Sequence, residues 1–152
     1  MTEPIRIGVL GLTHDHVWGN LSSLETCKDT ELIAASDPND PLTTRIAQEY
    51  GCNTYSSHQE LLDEETLNAV YIFSSNAEGA ELAITAMKQK LHVLIEKPMA
   101  AKVDQANRMV TAAQENEVKL VINWPFAWWP QLQKALAMAQ SGSIGKLWAV
   151  KF

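Results

Sequence analysis

Short apolar runs at 5–10, 31–36, 53–55, 69–73, 92–95 and 119–122 punctuate the chain, the one at 53–55 being the weakest. Between them, apolar residues recur at helical spacing. Ala80, Ala83, Ile84 and Met87 form one such stripe, and Val103, Ala106, Val110 and Ala113 another. Spacing of this kind buries one face of a helix. Strands that are apolar almost throughout, alternating with one-faced helices, predict a parallel sheet covered on both sides. Right-handed crossovers then give an α/β fold with a doubly wound parallel sheet. A helix over 41–50 carries start and stop signals. Asp40 is its expected N-cap, Pro41 its first residue and Gly51 its terminator.

The pattern changes after residue 122. Residues 123–130 are aromatic and interrupted by Pro125 and Pro130, and a helix with Leu132, Ala135, Leu136 and Ala139 on one face is expected next. A turn at 141–145 follows, and 146–152 alternates like a strand. The expected division is 1–123 and 124–152, and the family resemblance given below implies a dinucleotide-binding domain for the first, with a linker helix and the first strand of a truncated second α/β domain for the second.

Composition adds exclusions. The 152 residues have a formal net charge of −6 and no Lys/Arg cluster, which argues against nucleic acid and anionic membranes as partners. No run approaches the roughly 18 apolar residues of a membrane span, and no signal peptide is expected, since no apolar stretch follows a basic one at 1–4. Cys27 and Cys52 have no metal-like spacing and read as free thiols of a reducing compartment, so a cytoplasmic protein is expected.

Candidate chemistry lies where strands end. The first run leads into Gly8-Val9-Leu10-Gly11-Leu12-Thr13-His14-Asp15-His16. In a dinucleotide fingerprint, three glycines allow a tight turn, close approach to pyrophosphate and helix–strand packing. With Gly11 as the first, Thr13 and His16 stand in place of the other two. The threonine hydroxyl and the helix N-terminus can still serve a phosphate. His14-Asp15-His16 also invites a metal reading. Neighbouring loop residues rarely converge on one ion and no further ligand lies nearby in sequence, so no metal is expected; Asp15 is expected to cap the helix. Asp37 follows the second run about 20 residues on, where an acidic residue accepts the adenosine ribose hydroxyls and repels a 2′-phosphate, favouring NAD over NADP. Glu96-Lys97-Pro98 follows the buried run at 92–95 and places a cation at the sheet edge where such folds bind ligands. The Lys97–Pro98 bond is expected to be cis. His58 reads as a surface-like helix start.

These residues resemble the N-terminal domain of the Gfo/Idh/MocA oxidoreductases. The resemblance also rests on Ser74-Ser75-Asn76, on Ala80-Glu81-Leu82-Ala83-Ile84, on Asn123 with its aromatic loop, and on Gly142-Ser143-Ile144-Gly145-Lys146. It implies a Rossmann domain and hydride transfer between a nicotinamide cofactor and a sugar, polyol or related hydroxy compound. It also implies that Lys97 is catalytic, hydrogen-bonding the reacting oxygen, and that Glu96, Pro98 and Asn76 contact the cofactor. The full set of expected cofactor residues is Gly8, Gly11, Thr13, His14, Asp37, Ser74, Asn76, Glu96, Lys97 and Pro98. Family members continue for roughly another domain, so this chain reads as a cofactor domain without its complete active site. A final strand without its sheet and exposed Trp124, Trp128, Trp129 and Trp148 would favour a homo-oligomer. A non-catalytic nucleotide-sensing or interaction module is the alternative.

Overall fold

The computed structural model describes residues 3–151. In chain order it contains β1 (Ile5–Leu10), α1 (His16–Thr26), β2 (Thr30–Ser36), α2 (Asp40–Tyr50), β3 (Asn53–Tyr55), α3 (His58–Glu64), β4 (Ala69–Ile72), α4 (Asn76–Lys88), β5 (His92–Glu96), α5 (Val103–Asn116), β6 (Leu120–Asn123) and α6 (Pro130–Gln140), with a short 3-10 turn at Pro125–Trp128. The sheet order is β3-β2-β1-β4-β5-β6. β1 runs parallel to β2 and β4, β2 to β3, and β4 to β5. The order steps outward from β1 in both directions, as a doubly wound sheet does. The chain divides into two compact units, one ending at Ile122 and the other starting at Asn123.

Alternation along the central strands explains why both faces are covered. Val9 of β1, with Phe73 just beyond β4, packs among Val17 and Leu21 of α1 and Ile46 of α2. Leu10, Val70 and Ile72 point the other way, into a cluster with Leu61 of α3, Ala83 and Met87 of α4, and Met109 of α5. Successive strand residues face opposite sides, so a strand buried on both must be apolar at nearly every position. That is the pattern read from the sequence.

Gly8, named among the expected cofactor residues, has a packing role in the strand. It lies inside β1, and a Cβ there would stand 2.7 Å from Leu67 Cδ1 and 3.2 Å from Leu61 Cδ2. Its missing side chain makes room for leucines under the sheet, two residues short of the strand end.

The start of α2 also differs. Asn39 is its N-cap without a side-chain cap bond, and Asp40 is already helical. The stop is as expected: Gly51 has φ 67° and its N–H reaches Ala47 O.

In the second unit, Phe126 and Trp129 meet edge to face with ring centroids 4.7 Å apart. The alternating segment at 146–151 forms no strand. A strand requires a partner for its backbone groups, and this unit offers none among the described residues. Phe152 lies outside them. No helix among the described residues is long and apolar enough to cross a membrane.

Candidate active site

The ends of β1, β2, β4 and β5 build one edge of the sheet. Gly11 leaves β1 with φ 90°, and its N–H donates to Ser36 O at 2.8 Å. A Cβ on Gly11 would fall 2.5 Å from the Ser74 backbone nitrogen and 2.8 Å from Phe73 C. Here the chain passes the end of β4 backbone against backbone, which only glycine permits. Leu12 is fully buried and anchors the turn, leaving Thr13 exposed at the edge. His14 is half-buried, and its Nδ1 accepts the His16 N–H at 3.2 Å. Asp15 occupies the N-cap of α1 but its side chain makes no cap bond, contrary to expectation. The backbone supplies instead, with Val17 N–H reaching His14 O at 3.0 Å.

Asp37 stands just past β2, only 3% exposed. Its Oδ2 accepts the Leu12 N–H at 2.7 Å and its Oδ1 the Asn39 N–H at 2.8 Å. The carboxylate therefore ties the first turn to the second strand's exit. Each oxygen retains a further lone pair, so this anchoring is compatible with accepting ribose hydroxyls.

His58 is corrected from surface-like to half-buried. Its Nδ1 lies 2.7 Å from the hydroxyl of Ser36, which is itself fully buried. Desolvation lowers the His58 pKa below its usual 6.5, against opposing pulls from Glu78 and Asp37. Below about pH 6.5 the unfolded chain then binds more protons at this ring than the folded one, so stability falls as pH falls through that window. His58→Gln, which keeps a partner for Ser36, should lose less stability than the wild type between about pH 7 and pH 5 in urea unfolding. Equal losses in the two proteins would contradict this.

After β4, Ser74 carries a buried hydroxyl with no hydrogen-bond partner among the described residues. Ser75 caps α4 by accepting the Glu78 N–H at 3.4 Å, and Asn76 opens that helix, exposed. Glu96 ends β5 rather than following it, and is 6% exposed. Its Oε1 lies 3.0 Å from His16 Nδ1 and 3.9 Å from Lys97 Nζ. The Lys97 side chain is 38% exposed, and the Lys97–Pro98 bond is cis, as expected.

The fold thus joins the first turn to Glu96-Lys97 through His16, a link between residues 80 positions apart. Sequence reasoning missed it. Its signal was that both segments follow apolar runs and so reach the same sheet edge. The link supplies the third donor whose absence counted against a metal: ligand atoms of His14, His16 and Glu96 lie within 4.8 Å of one another. Yet these donors bond each other, His16 Nδ1 with Glu96 and His14 Nδ1 with the His16 N–H.

A doubly wound parallel sheet, with a glycine turn, a strand-end acid and an orphaned hydroxyl at its carboxyl edge, defines the class of Rossmann nucleotide-binding domains. Residues 5–124 match the family model described as "Oxidoreductase family, NAD-binding Rossmann fold" (GFO_IDH_MocA), and the chain belongs to that family. It is 30% identical over 146 residues to the dTDP-3,4-didehydro-2,6-dideoxy-alpha-D-glucose 3-reductase of Actinomadura kijaniata, covering 95% of this chain and 44% of the relative. It is 27% identical over 143 residues to the myo-inositol 2-dehydrogenase of Thermotoga maritima, covering 93% of this chain and 42% of the relative. Among solved structures, the WlbA dehydrogenase from Bordetella pertussis, in complex with NADH and UDP-GlcNAcA, superposes with a TM-score of 0.90 at 22% identity, over 97% of this chain and 43% of that one. That likeness establishes the fold. The chain spans less than half the length of the relatives it matches.

Proposed function

We propose that this chain is the NAD-binding part of an oxidoreductase that moves a hydride between nicotinamide and a sugar, polyol or related hydroxy compound. The observation that carries the reading is the convergence of the Gly11 turn, Asp37 and Lys97 on one sheet edge, with His16–Glu96 bridging turn and lysine. The names of the relatives supply the substrate class. The residues fit a dinucleotide: the backbone cradle at Gly11 has no room for a Cβ, and the Ser74 hydroxyl has no hydrogen-bond partner among the described residues.

In this reading Gly11, Thr13 and His14 face the pyrophosphate together with the α1 N-terminus. Asp37 accepts the ribose hydroxyls, and Ser74 and Asn76 lie along the cofactor. Glu96 and Pro98 shape the turn. A bound nicotinamide supplies the hydride acceptor or donor. Lys97 holds the substrate oxygen with its ammonium and stabilises negative charge developing there. The exposed tryptophans of the second unit, Trp148 at 84%, support association into a homo-oligomer, which sedimentation as a monomer would remove. The free thiols, Cys27 and Cys52, fit a reducing cytoplasm.

Calorimetric titration of the chain with NADH and NADPH tests the cofactor assignment. Saturable NADH binding is expected, at least about tenfold tighter than NADPH, because a carboxylate facing the 2′-phosphate costs about 1.4 kcal/mol or more. Equal or inverted affinities would show that Asp37 does not read the ribose.

A further inference from the structure

Three metal-ligating side chains meet at one corner of the sheet edge. His14 and His16 come from the turn after β1 and the start of α1, and Glu96 from the end of β5. Their ligand atoms all lie within 4.8 Å of one another. We propose that His14, His16 and Glu96 form a binding site for a divalent transition-metal ion, zinc by its donor set.

Donor chemistry, spacing and access support the assignment. Two imidazole nitrogens and one carboxylate oxygen are ligands that zinc takes, whereas calcium and magnesium demand oxygen. Tetrahedral zinc holds its ligands at about 2.0–2.2 Å, and so about 3.3–3.6 Å from one another. His16 Nδ1 and Glu96 Oε1 are already 3.0 Å apart, and the two imidazole rings stand 4.6 Å apart, centroid to centroid. The widest separation in the set has to close by at most about 1.5 Å to reach that spacing. Glu96 is 6% exposed at a strand end, while both histidines are half-buried at the edge. An ion therefore meets an anionic floor fixed by the sheet and two rings that can turn towards it.

Binding exchanges the bonds these atoms make in the metal-free chain. The His16–Glu96 hydrogen bond gives way to two bonds to one ion, and the imidazole proton moves to Nε2. His14 Nδ1 releases the His16 N–H, a 3.2 Å contact at a helix start, where water can take its place. Glu96 keeps its other interactions, because a carboxylate has about four acceptor sites and one ligand bond uses one of them. Lys97 is the opposing charge, with Nζ 3.9 Å from Glu96 Oε1. Its side chain is 38% exposed and free to swing outward from a dication. Three protein ligands leave a fourth position open, as catalytic rather than structural zinc sites do.

The test uses this chain as it is, needs no nucleotide and takes Zn2+ itself as the probe. Calorimetric titration of the chelator-washed chain at about pH 7.5, where free imidazole is neutral, should show one ion bound per chain with micromolar or tighter affinity. His14→Gln, His16→Gln and Glu96→Gln should each weaken it at least about tenfold, because each removes one ligand bond. Replacing both thiols, Cys27→Ser with Cys52→Ser, should leave it unchanged, as should His58→Gln, since these donors lie outside the set. Lys97→Ala should tighten it several-fold by removing the opposing charge. Urea unfolding of each variant confirms that it is folded, and Zn2+ should raise the wild-type midpoint. The absence of stoichiometric binding, affinity that survives the three ligand substitutions, or affinity that disappears with the cysteines overturns the proposal.

Discussion

Gly11→Ala should destabilise the domain by about 3–5 kcal/mol, a large share of the roughly 5–15 kcal/mol that holds a domain folded. Two costs add. The residue sits at φ 90°, outside the regions open to a side chain. The new Cβ would also meet backbone atoms, Ser74 N at 2.5 Å and Phe73 C at 2.8 Å, which cannot rotate aside as a side chain can. Relief requires β1 and β4 to separate at their ends, breaking the 2.8 Å bond from Phe73 N–H to Leu10 O. Gly51→Ala is the internal control. Gly51 has φ 67°, but its Cβ would meet nothing within 4 Å, so only the backbone cost of about 1–2 kcal/mol remains. Urea unfolding followed by tryptophan fluorescence compares the two. Equal losses would mean that the crossing at Gly11 is not tight.

Lys97→Ala carries the largest expected effect on chemistry. In a longer chain that includes the region its relatives have beyond this one, the substitution should lower kcat by about 10²–10³, the scale of losing one charge-stabilising donor. NADH affinity should stay within about threefold, since the ammonium is assigned to the substrate oxygen and not to the cofactor. The two measurements divide the possible readings. Turnover that survives would move the reacting oxygen away from Lys97. An affinity that falls as far as turnover would make Lys97 a cofactor ligand. Binding of NADH by a wild-type chain that never turns over would favour a nucleotide-sensing module.

Much of this architecture was legible in the sequence because its signals are local. The apolar runs gave the order of strands, since a strand between two helical layers has no polar face to spare. Gly51 marked a helix end because a left-handed residue is needed there. The positions of Asp37 and Lys97 at the sheet edge could be read from their places after buried runs. What escaped depended on partners distant in the chain. Gly8 looked like part of the turn, but its role is set by Leu61 and Leu67, which arrive after two intervening strands. Asp15 sits at the capping position, yet its side chain is not used there. His58 seemed a plain helix start until β2 placed the buried Ser36 hydroxyl against it. Residues 146–151 alternate as a strand does, but alternation specifies only which side chains share a face; the backbone still needs a neighbour. The His16–Glu96 pair joins two sheet ends that no local pattern connects.

The NADH titration followed residue by residue, through the backbone amide resonances of the isotope-labelled chain, tests the central claim most directly. The account predicts shifts concentrated at Gly11 to His16, at Asp37, at Ser74 to Asn76 and at Glu96 and Lys97, with the far ends of the same strands undisturbed. Shifts gathered elsewhere, or none at saturating NADH, would contradict it.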